Sequence, residues 1–188
     1  MVNVDRPNGF RPVKTMSGAP WYGAIRSLGV ADGADIFVGD PVSLASGLAA
    51  VSATNDTAFL GVAVGFGKIN SFSQTTSDPF NAADLTTRFY DDSANTHTDW
   101  VVFYVPVDDV IFEAQTATAL TKLVGETMDI VTPGAGSVTT GISGAEITTS
   151  TNADVTVIEI PKYPDNDSTL VWGRYWVMFT RAEQAFHA

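Results

Sequence analysis

Short runs of β-branched and aromatic residues, each ended by turn-forming residues, recur along this chain of 188 residues. Residues 36–38 end at Gly39-Asp40-Pro41, and residues 155–160 end at Pro161. The chain contains 22 Thr and 21 Val but only four Lys. β-branched side chains fit a pleated sheet better than a helix, and short strands separated by turns are typical of barrels and sandwiches. We therefore predict a mainly-β fold, either a small β-barrel or a β-sandwich, with an extended N-terminal arm.

Charge and composition exclude several classes of partner. The chain has 10 basic and 21 acidic residues, a net charge of −11, and such a chain repels phosphate backbones. No apolar run approaches the length that spans a bilayer, and no cysteine is present to form a disulfide or a thiolate metal site. No signal peptide is recognisable at the N-terminus. We expect no nucleic-acid partner, no membrane partner and synthesis in the cytoplasm.

The sequence divides into two regions of opposite charge. Residues 1–30 hold four basic residues and one acidic residue, a net of +3, whereas the remaining 158 residues hold 6 basic and 20 acidic, a net of −14. Three prolines between residues 1 and 29 favour an extended backbone. We predict an extended N-terminal arm at 1–29 that docks on neighbouring subunits. A β-rich body follows at 30–188, with a polar excursion at 70–99 that is functional or an insertion.

Two segments carry residues of the kind that binds other proteins. Arg6 and Arg11 flank an aromatic anchor in a stretch that proline stiffens, which lowers the entropy lost on docking. Residues 170–180 alternate as one long strand, with an arginine between two tryptophans on one face, and Trp and Arg are enriched at interface hot spots. The alternative for the first segment is a flexible tail. The alternative for the second is an edge of the core from which Arg174 extends outward. The predicted partner-binding residues are Arg6, Phe10, Arg11, Trp21, Tyr22, Arg26, Trp172, Arg174 and Trp176.

Residues that would carry chemistry are scattered. His97 and His187 have no nucleophile beside them, and the chain lacks a Gly-x-Ser-x-Gly elbow. The acidic pairs at 91–92 and 108–109 would point to opposite faces of a strand. We predict no enzyme, no catalytic residue, no cofactor and no metal site. A weak cation site at Asp165-Asn166-Asp167 stays open, with a simple turn as its alternative.

Seven stretches occur in a fixed order over most of the chain. They are Asn8-Gly9-Phe10-Arg11-Pro12-Val13, Gly23-Ala24-Ile25-Arg26, Phe37-Val38-Gly39-Asp40-Pro41-Val42, Phe59-Leu60-Gly61-Val62-Ala63-Val64-Gly65-Phe66, Ile111-Phe112-Glu113-Ala114-Gln115, Gly141-Ile142-Ser143-Gly144-Ala145-Glu146 and Pro164-Asp165-Asn166. In this order they resemble the small capsid decoration, or cement, proteins of tailed bacteriophages.

The resemblance implies a structural virion protein on the outer surface of a phage capsid, assembled in the host cytoplasm. Such a protein stabilises the expanded head by bridging subunits of the major capsid protein. Its expected partners are that coat protein and neighbouring copies of itself, as a trimer or a dimer. The main alternative is a tail, neck or spike component of the particle. A carbohydrate-binding sandwich that stacks sugars on Trp172 and Trp176, and a carbohydrate hydrolase, are further alternatives.

Overall fold

A computed structural model describes residues 3–54, 56–68, 87–180 and 184–185. Most of the polar excursion predicted at 70–99 therefore lies outside the described residues. Within those ranges the chain forms fifteen strands and one short 3₁₀ helix. Their bounds in chain order are β1 (Arg11–Thr15), β2 (Arg26–Gly29), β3 (Ile36–Phe37), β4 (Pro41–Ala45), β5 (Leu48–Val51), β6 (Phe59–Lys68), β7 (Phe89–Tyr90), η1 (His97–Asp99), β8 (Trp100–Pro106), β9 (Val110–Gln115), β10 (Thr127–Val131), β11 (Gly136–Ser137), β12 (Ile142–Ser143), β13 (Glu146–Thr149), β14 (Val155–Glu159) and β15 (Arg174–Phe179).

Six strands form the first sheet, with antiparallel neighbours in the order β1-β9-β15-β14-β10-β13. Alternate side chains of β15 point inward, so that Tyr175, Val177 and Phe179 are fully buried. At the far edge of the sheet, a parallel bridge joins Ile147 of β13 to Thr116, one residue beyond the end of β9. This bridge brings the edge strand back to β9, so the first sheet curls into a partly closed barrel.

Five strands form the second sheet, in the order β2-β8-β6-β4-β5. A parallel bridge between Val30 and Ala49 joins its two edge strands, and Ala31 N–H donates to Ala49 O at 2.8 Å. Every residue of β8 from 100 to 105 is buried. The apolar run at these positions thus forms a strand that is buried on both faces.

The second sheet separates two apolar cores. Phe59 and Val62 of β6 face the inner side of the first sheet and belong to the first core, which also contains Phe112. Leu60 of β6 and Val102 of β8 belong to the second core, on the opposite face. Fully burying side chains of this size contributes about 1.5–3 kcal/mol each. These two antiparallel sheets, with the first core between them, confirm the prediction of a mainly-β fold.

The N-terminal segment differs from the predicted separate arm. β1 pairs with β9 and β2 pairs with β8, so both strands are parts of the chain's own sheets. Phe10, predicted to anchor in a partner, is 1% exposed and lies 5.4 Å from Phe179 between ring centroids. Pro12 lies in an edge strand, where a missing N–H breaks no central ladder. The strands at 11–15 and 26–29 thus belong to the chain's own sheets, and the docking of residues 1–29 on neighbouring subunits stays a prediction.

The terminal strand is shorter than the alternation of 170–180 indicates. Residues 170–173 form a turn, in which Gly173 N–H donates to Leu170 O at 3.2 Å, and β15 begins only at Arg174. Trp172 has a φ of +62° in this turn. The predicted row of Trp172, Arg174 and Trp176 on one strand face is therefore wrong for its first member, because local turn geometry overrides the pattern.

Two glycines allow the N-terminal segment to cross the chain between β3 and β4. Gly9 has a φ of +58° and Gly39 a φ of +96°, and a Cβ on either would overlap backbone atoms of the other segment. Phe10 N–H donates to Gly39 O at 2.9 Å, and Gly39 N–H donates to Ala63 O at 2.8 Å. The crossing therefore links the N-terminal segment to β6 through Gly39.

Asp40 is buried at this crossing and joins it to the loop around β12. Its carboxylate accepts hydrogen bonds from Phe37 N–H at 2.8 Å, from Gly134 N–H at 3.2 Å and from the Ser143 hydroxyl. Burial raises the pKa of Asp40 to about 6, although these hydrogen bonds act to lower it. The junction of Gly9, Gly39, Asp40 and Ser143 is called the glycine crossing below.

We predict that Gly9→Ala destabilises the chain far more than Gly18→Ala. Both glycines have positive φ, but nothing lies within 4 Å of a Cβ at Gly18. Gly18→Ala should cost about 1 kcal/mol from backbone strain alone, and Gly9→Ala about 3 kcal/mol more or complete loss of folding. Urea denaturation of both variants measures the difference. Equal losses would show that the close approach to Gly39 contributes nothing.

We also predict a pH-dependent difference between Asp40→Asn and the wild type. The folded chain holds the Asp40 proton up to about pH 6, whereas the unfolded chain releases it near pH 3.8. The contribution of Asp40 to the free energy of unfolding therefore falls by about 3 kcal/mol as the pH rises from 3.8 to about 6, and it stays at the lower value above that pH. The unfolding free energy of Asp40→Asn, relative to wild type, should rise by that amount from about pH 3 to about pH 7.

The comparison needs denaturation curves at several pH values for wild type, Asp40→Asn and Asp99→Asn. The last variant removes one exposed carboxylate and so matches the change in charge. A difference between Asp40→Asn and wild type that stays constant with pH would contradict the prediction.

Candidate functional site

Residues from the two ends of the chain enclose a cleft of about 130 Å³. Four of the nine predicted partner-binding residues line it, namely Arg6, Arg11, Trp172 and Arg174. Glu113 and Asp165 supply its acidic side chains. This site is called the arginine cleft below. The structure thus brings together residues that lie more than 160 positions apart in the sequence.

Asn3 fastens one wall of the cleft to the other. It is 4% exposed, and its Nδ2 donates to Asp167 O at 2.7 Å and to Val171 O at 2.9 Å. Asp167 N–H donates back to Asn3 Oδ1 at 2.8 Å. A buried amide with both ends paired holds its segment firmly, since breaking these bonds would leave polar atoms unsatisfied. The first described residues therefore have a defined path beside the C-terminal turn.

Gln115, at the end of β9, is the second fastening point. Its Oε1 accepts from Arg6 N–H at 3.0 Å, while its Nε2 donates to Asp5 Oδ1 at 3.0 Å and to Glu146 Oε1 at 2.9 Å. Burial raises the pKa of Glu146, and the Asp5 carboxylate raises it further. One amide thus bridges two carboxylates that would otherwise repel each other.

Arg174 is held in place on the wall opposite Arg6. Its Nη2 donates to Asp165 Oδ1 at 2.6 Å, and its guanidinium lies 4.5 Å from the centroid of the Tyr163 ring. Asp165 also lies 3.9 Å from Arg6 Nη1. The hydrogen bond from Arg174 lowers the pKa of Asp165. One carboxylate therefore serves two arginines, and the stacked Arg174 has little freedom to move.

Trp176 lies half-buried on the outer face of the first sheet and has partners within the chain. Its Nε1 donates to Glu113 Oε2 at 3.1 Å, and Lys14 Nζ lies 4.4 Å from its ring centroid. Lys14 also pairs with Glu159 at 2.6 Å. Arg174 stacks on Tyr163 instead of lying between two indoles, so the predicted arrangement of Trp172, Arg174 and Trp176 is not formed.

The other predicted partner-binding residues lie outside the cleft. Phe10 is in the first core, and Trp21 is half-buried against that core. Tyr22 is 83% exposed, and Arg26 is exposed at the start of β2. Tyr22 and Arg26 are therefore the exposed members of this group.

Sequence reasoning assigned no role to Asn3 or Gln115, and it considered Asp165 only as part of a possible cation site or turn. Gln115 ends the stretch that begins at Ile111, and Asp165 is in the stretch Pro164-Asp165-Asn166, so both lie in segments that carried the resemblance. Asn3 had no such signal. In the structure Asn166 Oδ1 accepts from Arg174 N–H at 2.8 Å, and Asp167 Oδ1 accepts from Thr169 N–H at 3.0 Å. These two side chains therefore stabilise the local turn.

Among the described residues, no group of three or more His, Cys, Asp or Glu side chains lies close enough to hold a metal ion. No helix in the described part of the chain is long and apolar enough to cross a membrane. No protein-family model, curated protein or solved structure matches this chain.

We predict that Asn3→Ala loosens the N-terminal wall of the cleft while the body stays folded. The variant removes three hydrogen bonds to the turn at 167–171. Amide hydrogen exchange at Arg6 should become about tenfold faster or more, because local opening no longer breaks those bonds. Asn95→Ala is the matched control, since it removes a side-chain bond to Asp91 O in a distant loop. Unchanged exchange at Arg6 would show that Asn3 does not hold this segment.

Proposed function

We propose that this chain is a structural subunit on the exterior of a phage capsid, a decoration protein that binds the major capsid protein and cements the expanded head. The observation that carries the proposal is the arginine cleft. Four of the residues predicted from sequence to contact a partner, taken from both ends of the chain, meet around it. Arginine and tryptophan are the residue types most enriched at energetic centres of protein interfaces.

The positions of the resembling stretches support the same proposal. The stretches that contain Gly9, Gly39 with Asp40, and Ser143 meet at the glycine crossing, where Gly9 packs on Gly39 and Ser143 binds Asp40. The likeness to decoration proteins therefore rests on residues that determine how the chain is folded. A resemblance of this kind supports a shared architecture and a structural role.

The mechanism we propose is stabilisation by binding. A subunit that binds only the expanded shell stabilises that shell by its binding free energy. Many copies act on one particle, so modest affinity at each site is sufficient. The exposed Tyr22 and Arg26 lie outside the cleft and would contact a second coat subunit or a neighbouring copy of this chain. The net charge of −11 disfavours contact with packaged DNA.

Copy number in the purified source particle tests the proposal. Quantitative mass spectrometry should give a ratio to the most abundant coat protein near one to one, or a simple fraction of it. A ratio of one to tens would instead support a tail, neck or spike component. Absence from any particle would overturn the structural proposal.

A second readout is the heat resistance of the heads. Heads that lack the chain should lose integrity at a lower temperature, and adding back purified wild-type chain should restore it. Deleting residues 1–29 is not a suitable variant, because it would remove β1, β2 and the buried Phe10. Tyr22→Ala is better suited, since this exposed side chain should weaken attachment without unfolding the body.

A further inference from the structure

Three of the chain's 10 basic residues line the arginine cleft. Its lining holds the guanidinium groups of Arg6, Arg11 and Arg174 against the carboxylates of Glu113 and Asp165. Asp165 is shared between Arg6 and Arg174, and Arg11 forms no ion pair with any described residue. Gln115, which also lines the cleft, binds the carboxylates of Asp5 and Glu146, so the attraction for an acidic group comes from Arg11 itself and not from the net charge of the cleft.

The acidic lining residues are hydrogen-bonded to other side chains, and Glu113 lies opposite Arg11 in the register of β1 and β9. Glu113 Oε2 accepts from Trp176 Nε1 at 3.1 Å and from Tyr163 Oη at 3.0 Å. Asp165 accepts from Arg174 at 2.6 Å. Arg11 is thus the lining cation with donors to offer, and a guanidinium presents two parallel N–H groups that match the two oxygens of a carboxylate.

The size of the cleft limits what enters it. Its volume is about 130 Å³, whereas sites for small-molecule ligands are typically roughly 300–1,000 Å³. One side chain with a carboxylate fits such a space, with Trp172 as the apolar wall for its methylene groups. Asn3 and Gln115 hold the walls in place before binding, which reduces the entropy lost when a partner docks.

We propose that the arginine cleft receives the side chain of a Glu or Asp from an exposed segment of the coat subunit, with Arg11 as its principal ligand. The identity of that partner rests on the proposed function. The recognition chemistry does not, because it follows from the cleft alone. Arg11 therefore determines which face of this chain meets the partner.

Two binding experiments test the proposal, with Arg88→Gln as the matched control for Arg11→Gln. Arg88 is exposed and lies outside the cleft, so both variants remove the same charge. Circular dichroism and thermal unfolding confirm that both are folded. On isolated heads that lack the chain, Arg11→Gln should bind about tenfold more weakly than wild type, and Arg88→Gln should bind like wild type.

The second experiment uses peptides and needs no head. Resonances of the Arg11 guanidinium and the Trp172 indole are followed by NMR during titration with acetyl-Gly-Glu-Gly-amide. They should shift with this peptide, should not shift with acetyl-Gly-Gln-Gly-amide, and should respond more weakly to acetyl-Gly-Gly-Gly with a free C-terminal carboxylate. In Arg11→Gln the response of Trp172 should disappear.

Each outcome decides a different point. Failure of the wild-type chain to bind heads overturns the proposed function, while the peptide titration still decides the chemistry of the cleft. Binding of Arg11→Gln that equals the wild type on heads overturns the role of the cleft in docking. Lack of any shift with the Glu peptide overturns carboxylate recognition, and an equal or stronger response to the free C-terminus overturns the assignment to a side chain.

Discussion

The glycine crossing is the contact on which the other parts of this structure depend. Residues 8–10 approach Gly39 so closely that neither Gly9 nor Gly39 has room for a side chain, and the buried Asp40 ties the same point to Ser143. Phe10 enters the first core immediately after the crossing. Since Gly39 N–H also bonds to β6, the crossing connects the N-terminal segment to both sheets. A larger residue at either glycine would displace that whole path.

The cleft is a consequence of this path. Once Phe10 is buried and β1 pairs with β9, the residues before them lie beside the turn that precedes β15. Asn3 and Gln115 then satisfy backbone groups on both sides, so the walls of the cleft are set by buried hydrogen bonds. The side chains that face the space are free to serve another purpose. A site built on strands and paired turns keeps its geometry better than one on an isolated arm, which favours specific docking.

Local patterns in the sequence predicted the fold class but not the long-range pairings. The apolar run at 100–105 forms a buried strand, and alternate residues of β15, such as Tyr175, form a buried strand face. Both patterns lie within a single strand, so they are visible in residues that are close together in the sequence. β1 pairs with a strand about a hundred residues away, which no local signal reveals, and Pro12 is compatible with both a free arm and an edge strand. In the cleft, Arg6, Arg11, Trp172 and Arg174 were selected by residue type, whereas Asn3 was missed because its partners are backbone atoms of a distant turn.

The distribution of charge over the chain explains why the cleft would affect the orientation of a partner in the proposed assembly. A surface with a net charge of −11 repels other acidic surfaces, its own copies included, but at physiological ionic strength this repulsion is screened beyond about 8 Å. A carboxylate that enters the cleft is instead within hydrogen-bonding range of Arg11, where screening is weakest. Long-range repulsion therefore disfavours most orientations of an acidic partner, and the contact in the cleft favours one. Overall acidity and the Arg11 guanidinium thus act together, because the first rejects misplaced contacts and the second selects the correct one.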